Sequence, residues 1–255
     1  MRRLGVVRFG SPVRYAPAME VQEKLAACVN KGLVPSLVMS LVHQPCFTLG
    51  RRGKEEDLLT AEEERKNVDV VRTTRGGEVT YHGPGQLVVY PILKLRTWEL
   101  GARRYVEMLE DAVVNTLGRY GIEGRGRVAG ATGVWVGDRK IAAIGVKISR
   151  GVATHGLALN VDPDLDRFKE IVPCGLKDKE VTSMSKELDA DGEGGVPDLM
   201  EVQGHLLKQV GSLVGVQEFS LLTGEEMEVI HRKTEGKLAA NFADLQVGAD
   251  QNWTC

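Results

Sequence analysis

The stretch Val134–Ile148 reads VWVGDRKIAAIGVKI and decides the fold that we expect for this chain. Bulky and β-branched residues lie on both sides of Gly137-Asp138, a pair typical of the tight turn between two antiparallel strands. A hairpin of this kind excludes a simple winding in which every strand is followed by a helix. The segment therefore predicts a mixed or antiparallel sheet.

The surrounding segments extend this pattern. Strands outnumber helices between Val68 and Val161 and do not alternate with them, which favours an α+β domain with helices packed on one side of the sheet. Apolar spacing and composition predict helices over Ala16–Val29, Glu55–Asn67, Ala102–Arg119 and Leu199–Val214. Strands are predicted at Leu4–Phe9, Ser36–Val42 with Cys46–Leu49 as its extension beyond a bend, Val68–Arg72, Glu78–Tyr81, Gln86–Leu93, Val134–Val136, Lys140–Ile148 and His155–Val161.

Composition limits the class of protein. The 255 residues include 33 Lys+Arg and 35 Asp+Glu, and this near-neutral balance argues against dedicated nucleic-acid binding. No apolar run approaches the ~20 residues that span a bilayer. We expect one domain over residues 1–220, followed by a polar, weakly helical tail over 221–255.

Cysteine and histidine spacing favours a reducing compartment and no metal site. No two cysteines stand in a CxxC spacing, and no two histidines form an HxxxH or HExxH pair. The cysteines are Cys28, Cys46, Cys174 and Cys255, and the histidines are His43, His82, His155, His205 and His231.

The segment Arg75–Gln86, RGGEVTYHGPGQ, is the first candidate for a binding site. Its four glycines let the backbone turn tightly and allow a ligand to approach closely. An ordinary hairpin loop is the alternative. Against it, Arg75, Tyr81, His82 and Gln86 concentrate more polar and amphipathic groups than a plain turn carries, and loops held by rigid strands commonly form substrate walls.

Two further residues could carry chemistry. Cys174 stands between Pro173 and Gly175, a setting more typical of a positioned nucleophile than of core packing, although a small buried hydrophobe is the alternative. The ordinary thiol pKa of about 8.5 means that a nearby cation must stabilise the thiolate. Lys140 could be that cation, although a lysine beside a hairpin turn is usually a solvated surface charge. The small residues of Ala142–Gly145 could leave space for an apolar ligand.

The sequence resembles the lipoyl(octanoyl) transferases, the octanoyl-[acyl-carrier-protein]:protein N-octanoyltransferases of lipoate biosynthesis, and plant and other eukaryotic members in particular. The resemblance covers about residues 4–215 and departs from the family pattern beyond Ser220. The motifs that carry it are Arg75–Gln86, Gly133–Val136 with Lys140–Val146, Thr154–Asn160, and Pro173–Gly175 with Val181–Ser183.

The resemblance implies the α+β catalytic-domain fold of biotin and lipoate protein ligases, and a catalytic dyad formed by Cys174 and Lys140. His155 is a possible orienting residue for the dyad. No cofactor and no metal are implied. The family's acyl-pocket segments correspond to Arg75, Gly76, Gly77, Glu78, Val79, Thr80, Tyr81, His82, Ala143, Ile144, Gly145, Gly156, Leu157 and Ala158.

The implied reaction transfers octanoate from octanoyl-acyl carrier protein to a lysine, through a thioester on Cys174. The implied acceptors are lipoyl domains of 2-oxoacid dehydrogenase E2 subunits and the glycine cleavage H protein, with neither nucleic acid nor membrane as a partner. Resemblance to eukaryotic members implies mitochondria, with the cytoplasm as the alternative. Two other classes stay open: an ATP-dependent lipoate or biotin protein ligase of the same fold, and a non-catalytic acyl-protein binding module.

Overall fold

The two long strands that precede and follow the predicted hairpin along the chain form the middle of one large sheet. The hairpin itself lies at an edge of this sheet. The computed structural model describes residues 3–10, 12–60, 68–172, 179–189, 195–216, 219, 224–234 and 245–247. The strands are β1 (Leu4–Phe9), β2 (Ser36–Leu41), β3 (Cys46–Leu49), β4 (Asp69–Arg72), β5 (Val79–His82), β6 (Gln86–Lys94), β7 (Val134–Val136), β8 (Arg139–Ser149), β9 (Val152–Asn160) and β10 (Leu245–Val247). The helices are α1 (Tyr15–Lys31), α2 (Ala102–Gly118), α3 (Met184–Leu188), α4 (Leu199–Leu213) and α5 (Gly224–Lys233).

The strands in the described ranges form two sheets. The large sheet has seven strands in the order β10-β1-β2-β6-β9-β8-β7, and the small sheet has the order β4-β3-β5. α1 carries the chain back between β1 and β2, so these two strands run parallel. β2, β6, β9 and β8 then pair antiparallel in succession. The predicted α+β class with a mixed sheet is confirmed.

Helices cover both faces of the large sheet. Alternate residues of β6 point to opposite faces: Leu87 and Val89 lie in the core with α2 and α4, whereas Val88 and Ile92 lie in the core with α1 and α5. The expectation of helices on one side is therefore wrong. Because β6 is buried on both faces, its sequence is apolar throughout and does not reveal which residues face which helix.

Two segments near the small sheet differ from prediction. Of the described residues in the predicted helix Glu55–Asn67, only Glu55–Asp57 are helical, as a single 3₁₀ turn, and Leu58 then forms a bridge with Ile171. Residues 61–67 lie outside the described part. Leu58 packs against the core of the small sheet, so contacts across the fold decide the path of the described chain here. Cys46–Leu49 is not an extension of β2, because it forms β3 in the small sheet.

The described residues beyond 220 contact the rest of the fold. Ile230 of α5 lies in the core beside α1, and Arg3 forms an ion pair with Glu226 at 3.0 Å. β10 pairs antiparallel with β1 at the edge of the large sheet. Neither β10 nor α3 was expected from the sequence. The predicted domain boundary at residue 220 and the role of the tail stay predictions.

The close approach of β6 and β9 generates a stability prediction. A Cβ on Gly156 would lie 2.3 Å from the Val89 carbonyl oxygen, so Gly156→Ala must push two central strands apart. We expect the free energy of unfolding, measured in urea, to fall by about 3 kcal/mol.

Gly118→Ala is the matched control, because nothing lies within 4 Å of a Cβ at this last position of α2. We expect it to raise the free energy of unfolding by about 0.5–1 kcal/mol. Equal stabilities for the two variants would contradict the close strand approach at Gly156.

Candidate active site

A cavity of about 250 Å³ lies where the loop before β5 meets β8 and β9. The lining includes these residues singled out by the sequence analysis: Arg75, Gly76, Gly77, Glu78, Val79, Thr80, His82, Lys140, Ala143, Ile144, Gly145, Gly156, Leu157 and Ala158. It also includes Arg52, Tyr90, Val106, Gly130, Ala131, Thr132 and Val146. The fold thus brings distant motifs to one cavity, although the roles of these residues stay predictions.

Arg75 ties the loop before β5 to both sheets. Its buried guanidinium donates through Nη2 to the carbonyl and hydroxyl oxygens of Thr48 in β3, both at 2.8 Å. The next residue, Gly76, donates its backbone N–H to the carbonyl oxygen of Val146 in β8 at 2.9 Å. Arg75 therefore holds the loop in place and puts a buried positive charge at the cavity wall.

Four small residues form two neighbouring cross-strand pairs on β8 and β9. The register places Ala143 opposite Ala158 and Gly145 opposite Gly156. Residues paired in this way lie side by side on the same face of the sheet. This part of the cavity wall is therefore lined by small residues, a feature that depends on the strand register.

The two glycines of this group line the cavity and also permit close packing of the chain around them. A Cβ on Gly145 would lie 2.9 Å from the carbonyl oxygen of Gly76, and one on Gly156 would meet β6. Ala142 is fully buried in the core beside α2. Ala142 therefore does not line the cavity, whereas Ala143, Ile144 and Gly145 do, and the groove expected along Ala142–Gly145 stays a prediction.

Tyr81 is not among the residues that line the cavity. Strand alternation turns its side chain into the small-sheet core, where its ring centroid lies 5.6 Å from that of Phe47 and 5.4 Å from that of Phe168. Burial raises the pKa of Tyr81 to about 12. Its neighbours Thr80 and His82 line the cavity, so every residue of Arg75–His82 except Tyr81 contributes to the lining, whereas Gly83–Gln86 do not.

Lys140 is a buried cation at the cavity wall, not a solvated surface charge. Its side chain lies against Trp135, with Nζ 5.3 Å from the ring centroid, a distance suited to a cation–π contact. Gly133 permits this position, because a Cβ there would lie 2.6 Å from Cε of Lys140. The hairpin predicted from Val134–Ile148 therefore delivers the lysine into the site.

Cys174 lies outside the described residues, but the chain is anchored on both sides of it. The N–H of Val172 donates to the carbonyl oxygen of Asp57 at 2.8 Å. Beyond the segment, the N–H of Lys140 donates to the carbonyl oxygen of Glu180 at 2.8 Å, and the N–H of Thr182 donates to the carbonyl oxygen of Lys140 at 2.9 Å. The backbone of Lys140 is thus bonded directly to the chain that follows Cys174.

Three buried histidines lie close together beside the cavity. The ring centroids of His43 and His82 are 5.6 Å apart, and His43 Nε2 lies 2.9 Å from the hydroxyl of Tyr90. Burial lowers the pKa of His43 to about 4 and that of His155 to about 3. Burial also lowers the pKa of His82 well below its usual value. All three imidazoles are therefore neutral near pH 7.

His155 is not among the residues that line the cavity. Its Nε2 lies 3.1 Å from the hydroxyl of Thr73, and its ring centroid is 6.0 Å from that of Tyr90. Its backbone has a φ of 57°, uncommon for a residue with a side chain, and its N–H donates to Oε1 of Gln22 at 2.9 Å. An orienting role would have to act through Tyr90, so it stays a prediction.

Tyr90 and Asn160 are two polar residues, at and beside the cavity, among those that the sequence does not single out as site residues. Tyr90 was assigned only to a buried strand, yet it lines the cavity. Asn160 was read as the last polar residue of a motif, yet it is buried and hydrogen-bonded to Gln86 and Thr182. The available signal was a polar group within an apolar strand, which is more informative than an apolar one.

No group of three or more His, Cys, Asp or Glu side chains in the described ranges could hold a metal ion. None of the helices there is long and apolar enough to cross a membrane.

Comparison with known proteins identifies the family. The family described as "Lipoyl protein ligase A/B catalytic domain" matches residues 14–210. The mitochondrial octanoyltransferase LIP2 of Arabidopsis thaliana is 46% identical over 190 residues, which cover 74% of this chain and 80% of the plant protein. The octanoyltransferase of Chloroflexus aurantiacus is 47% identical over 222 residues, which cover 85% of this chain and 96% of the bacterial protein.

These relatives do not single out a plant-like member. The octanoyltransferase of Solibacter usitatus is 54% identical over 175 residues, which cover 68% of this chain and 79% of that protein. Bacterial relatives are therefore at least as similar as the plant one, and the eukaryotic assignment stays a prediction.

Solved structures show the fold. A lipoate-protein ligase A bound with ATP superimposes with a TM-score of 0.69 at 16% identity, covering 92% of this chain and 94% of the ligase. The bipartite lipoate protein ligase of Thermoplasma acidophilum has a TM-score of 0.65 at 16% identity and covers 92% of each chain. The predicted ligase-type catalytic fold is confirmed. With the sequence identities above, this chain belongs to the octanoyltransferases of the lipoyl protein ligase A/B family and is an acyltransferase.

Proposed function

We propose that this enzyme transfers an octanoyl group from octanoyl-acyl carrier protein to the lysine of a lipoyl domain, through a thioester on Cys174. The observation that carries the proposal is the burial of Lys140 at the cavity wall, bonded through its backbone to the chain that follows Cys174. A buried cation beside a cysteine lowers the cost of forming the thiolate. The identity of the acyl group, octanoyl, is proposed from the relatives, which are named as octanoyltransferases.

In the first half-reaction the Cys174 thiolate attacks the thioester carbonyl carbon. The bond from this carbon to the pantetheine sulfur breaks as the bond to Cys174 forms. The leaving thiolate takes a proton from the Lys140 ammonium, so Lys140 becomes neutral. One thioester replaces another, so this step is close to isoenergetic.

In the second half-reaction the neutral amine of the acceptor lysine attacks the acyl carbon on Cys174. Its proton passes to the neutral amine of Lys140, and Cys174 leaves as the thiolate. The starting thiolate–ammonium pair is thereby restored. Amide formation from a thioester is downhill, so the cycle needs neither ATP nor a metal ion.

The acyl chain is proposed to lie over Ala143 and Ala158. Both residues line the cavity, and the strand register sets them side by side. Each buried methylene contributes about 0.8 kcal/mol, so partial burial of an eight-carbon chain already gives useful affinity. The proposed acceptors are lipoyl domains of 2-oxoacid dehydrogenase E2 subunits and the glycine cleavage H protein.

Two alternatives are separated by direct measurement. An ATP-dependent ligase would lipoylate a lipoyl domain from free octanoate and ATP, and would not require Cys174. A non-catalytic binding module would gain no covalent acyl group from octanoyl-acyl carrier protein. The assay with free octanoate and ATP is needed because the fold is similar to that of a lipoate-protein ligase.

A mitochondrial location is proposed from the plant relative, which is named as mitochondrial. A C-terminal fluorescent fusion tests this, and a diffuse cytosolic signal would contradict it.

The dyad generates the first prediction on activity. We expect Cys174→Ala to gain no acyl mass after incubation with octanoyl-acyl carrier protein, and to transfer nothing to a lipoyl domain. Lys140→Arg keeps a positive charge but lacks a usable base. We expect it to form the acyl-enzyme while turnover falls about 10²- to 10⁴-fold. Intact-protein mass spectrometry and a transfer assay measure both.

Cys28→Ala is the matched control, because Cys28 is a buried cysteine on α1 that does not line the cavity. It should acylate and transfer as the unmodified enzyme does. Substantial transfer by Cys174→Ala would disprove the covalent route.

The proposed acyl pocket generates the second prediction. Ala143→Leu adds about three carbons to the cavity wall, at about 0.8 kcal/mol for each methylene displaced from burial. We expect kcat/KM, measured with acyl thioesters of different length, to shift in favour of chains about two to three carbons shorter. Ala102→Leu, at the exposed start of α2, is the control and should keep the original profile. An unchanged profile in Ala143→Leu would place the acyl chain elsewhere.

A further inference from the structure

A chain of buried amide side chains links the segment after Cys174 to the cavity. Nδ2 of Asn160 donates to the carbonyl oxygen of Thr182 at 2.9 Å. Nε2 of Gln86 donates to Oδ1 of Asn160 at 3.0 Å, and Oε1 of Gln86 lies 2.7 Å from Nδ1 of His82. Asn160, Gln86 and His82 are all at least 95% buried, since their exposed fractions are 4%, 1% and 5%.

The chemistry of the chain determines how each amide is turned. A backbone carbonyl oxygen can only accept, so the group of Asn160 that faces Thr182 is the NH₂. The oxygen of Asn160 therefore faces Gln86, and Gln86 must present its own NH₂ there. The carbonyl oxygen of Tyr81, 3.2 Å from Nε2 of Gln86, requires the same orientation independently.

The orientation of Gln86 assigns the proton on His82. The amide oxygen left to face His82 accepts only, so Nδ1 of the imidazole must carry the hydrogen. In a neutral imidazole the other nitrogen, Nε2, is then a hydrogen-bond acceptor. Among the described residues, Nε2 of His82 has no hydrogen-bond partner. Since His82 lines the cavity, Nε2 is the polar atom of this ring that a bound group can reach.

The surroundings keep this imidazole neutral. Burial is the largest cause that lowers the pKa of His82, followed by the charges of His43 and Arg75, with a smaller effect from His155. The hydrogen bond that His82 donates to Gln86 acts in the opposite direction and raises the pKa. Tyr15 of α1 stacks on the ring, at a centroid distance of 5.9 Å. A ring held in this way can accept a hydrogen bond without keeping the proton.

We propose that Nε2 of His82 accepts a hydrogen bond from the N–H of the attacking lysine amine, and that Gln86 and Asn160 are positioning residues that hold His82 in this tautomer. The inference rests on the proposed function and names a group for its second half-reaction. An attacking amine must point its lone pair at the acyl carbon, which leaves its N–H groups to be directed by an acceptor. The departing proton still passes to Lys140.

Lys140 itself is a less suitable partner for this acceptor. Its Nζ lies against the indole ring of Trp135, beside the backbone of Gly133, at the β7–β8 end of the site. The acceptor nitrogen thus serves a donor that arrives with the substrate.

The tautomer is tested by NMR on the full chain labelled with ¹⁵N-histidine. A long-range ¹H–¹⁵N correlation distinguishes a protonated ring nitrogen from a bare one, and assignment by His82→Asn identifies the signal. We expect protonated Nδ1 and bare Nε2 throughout pH 5.5–8. Gln86→Leu should lose this pattern, whereas Gln203→Leu, which removes another buried glutamine amide bonded to Ser40, should retain it. A protonated Nε2 in the unmodified protein would overturn the proposal, whether or not the variant folds.

Kinetics test the role of the acceptor nitrogen. The enzyme is loaded from octanoyl-acyl carrier protein, and discharge of the acyl group to a lipoyl domain is followed in a single turnover. We expect Gln86→Leu to acylate within about twofold of the unmodified enzyme and to discharge at least about tenfold more slowly, with Gln203→Leu unchanged in both steps. Equal slowing of both steps, or normal discharge, would overturn the proposal. Failure of the unmodified enzyme to acylate would instead refute the proposed function, while the NMR result would still stand.

Discussion

The rest of the site depends on how closely β9 pairs with its two neighbours. Because Gly156 has no side chain, β6 approaches β9 closely, and because Gly145 opposite it has none, the loop at Arg75–Gly76 settles onto β8. The small sheet is tied to the large one through that loop. A side chain at either glycine would separate the layers whose junction forms the cavity.

A second consequence of this packing is that charged and neutral polar groups lie close together in one small volume. The buried side chain of Lys140 lines the cavity together with that of Arg75, and so does His82, the end of the neutral chain of Asn160, Gln86 and His82. Buried amides are tolerated only when each donor and acceptor is matched, and a chain that ends on backbone carbonyls meets this condition. Thr182 connects the two, since its N–H bonds to Lys140 and its carbonyl oxygen to Asn160.

The periodicity of apolar residues predicted most helices and strands, whereas contacts between residues far apart in the sequence required the structure. The helix at Ala102–Gly118 and the strand at Gln86–Lys94 carry their own apolar patterns, so the sequence was sufficient. The role of Glu55–Asp57, the inward turn of Tyr81 and the partners of Asn160 depend on residues far along the chain. The family motifs predicted most residues of the cavity wall, because a motif identifies positions in the sequence independently of which strands pair.

The position of β10 bears on how the chain reaches its final form. β1 precedes every other described element along the chain, whereas its outer neighbour, β10, follows all of them. Until β10 pairs with it, one side of β1 displays unpaired backbone N–H and C=O groups, an arrangement that invites association with other chains. β10 thus covers the outer edge of β1. A partly synthesised or proteolysed chain without β10 would expose an edge strand that can pair with other chains.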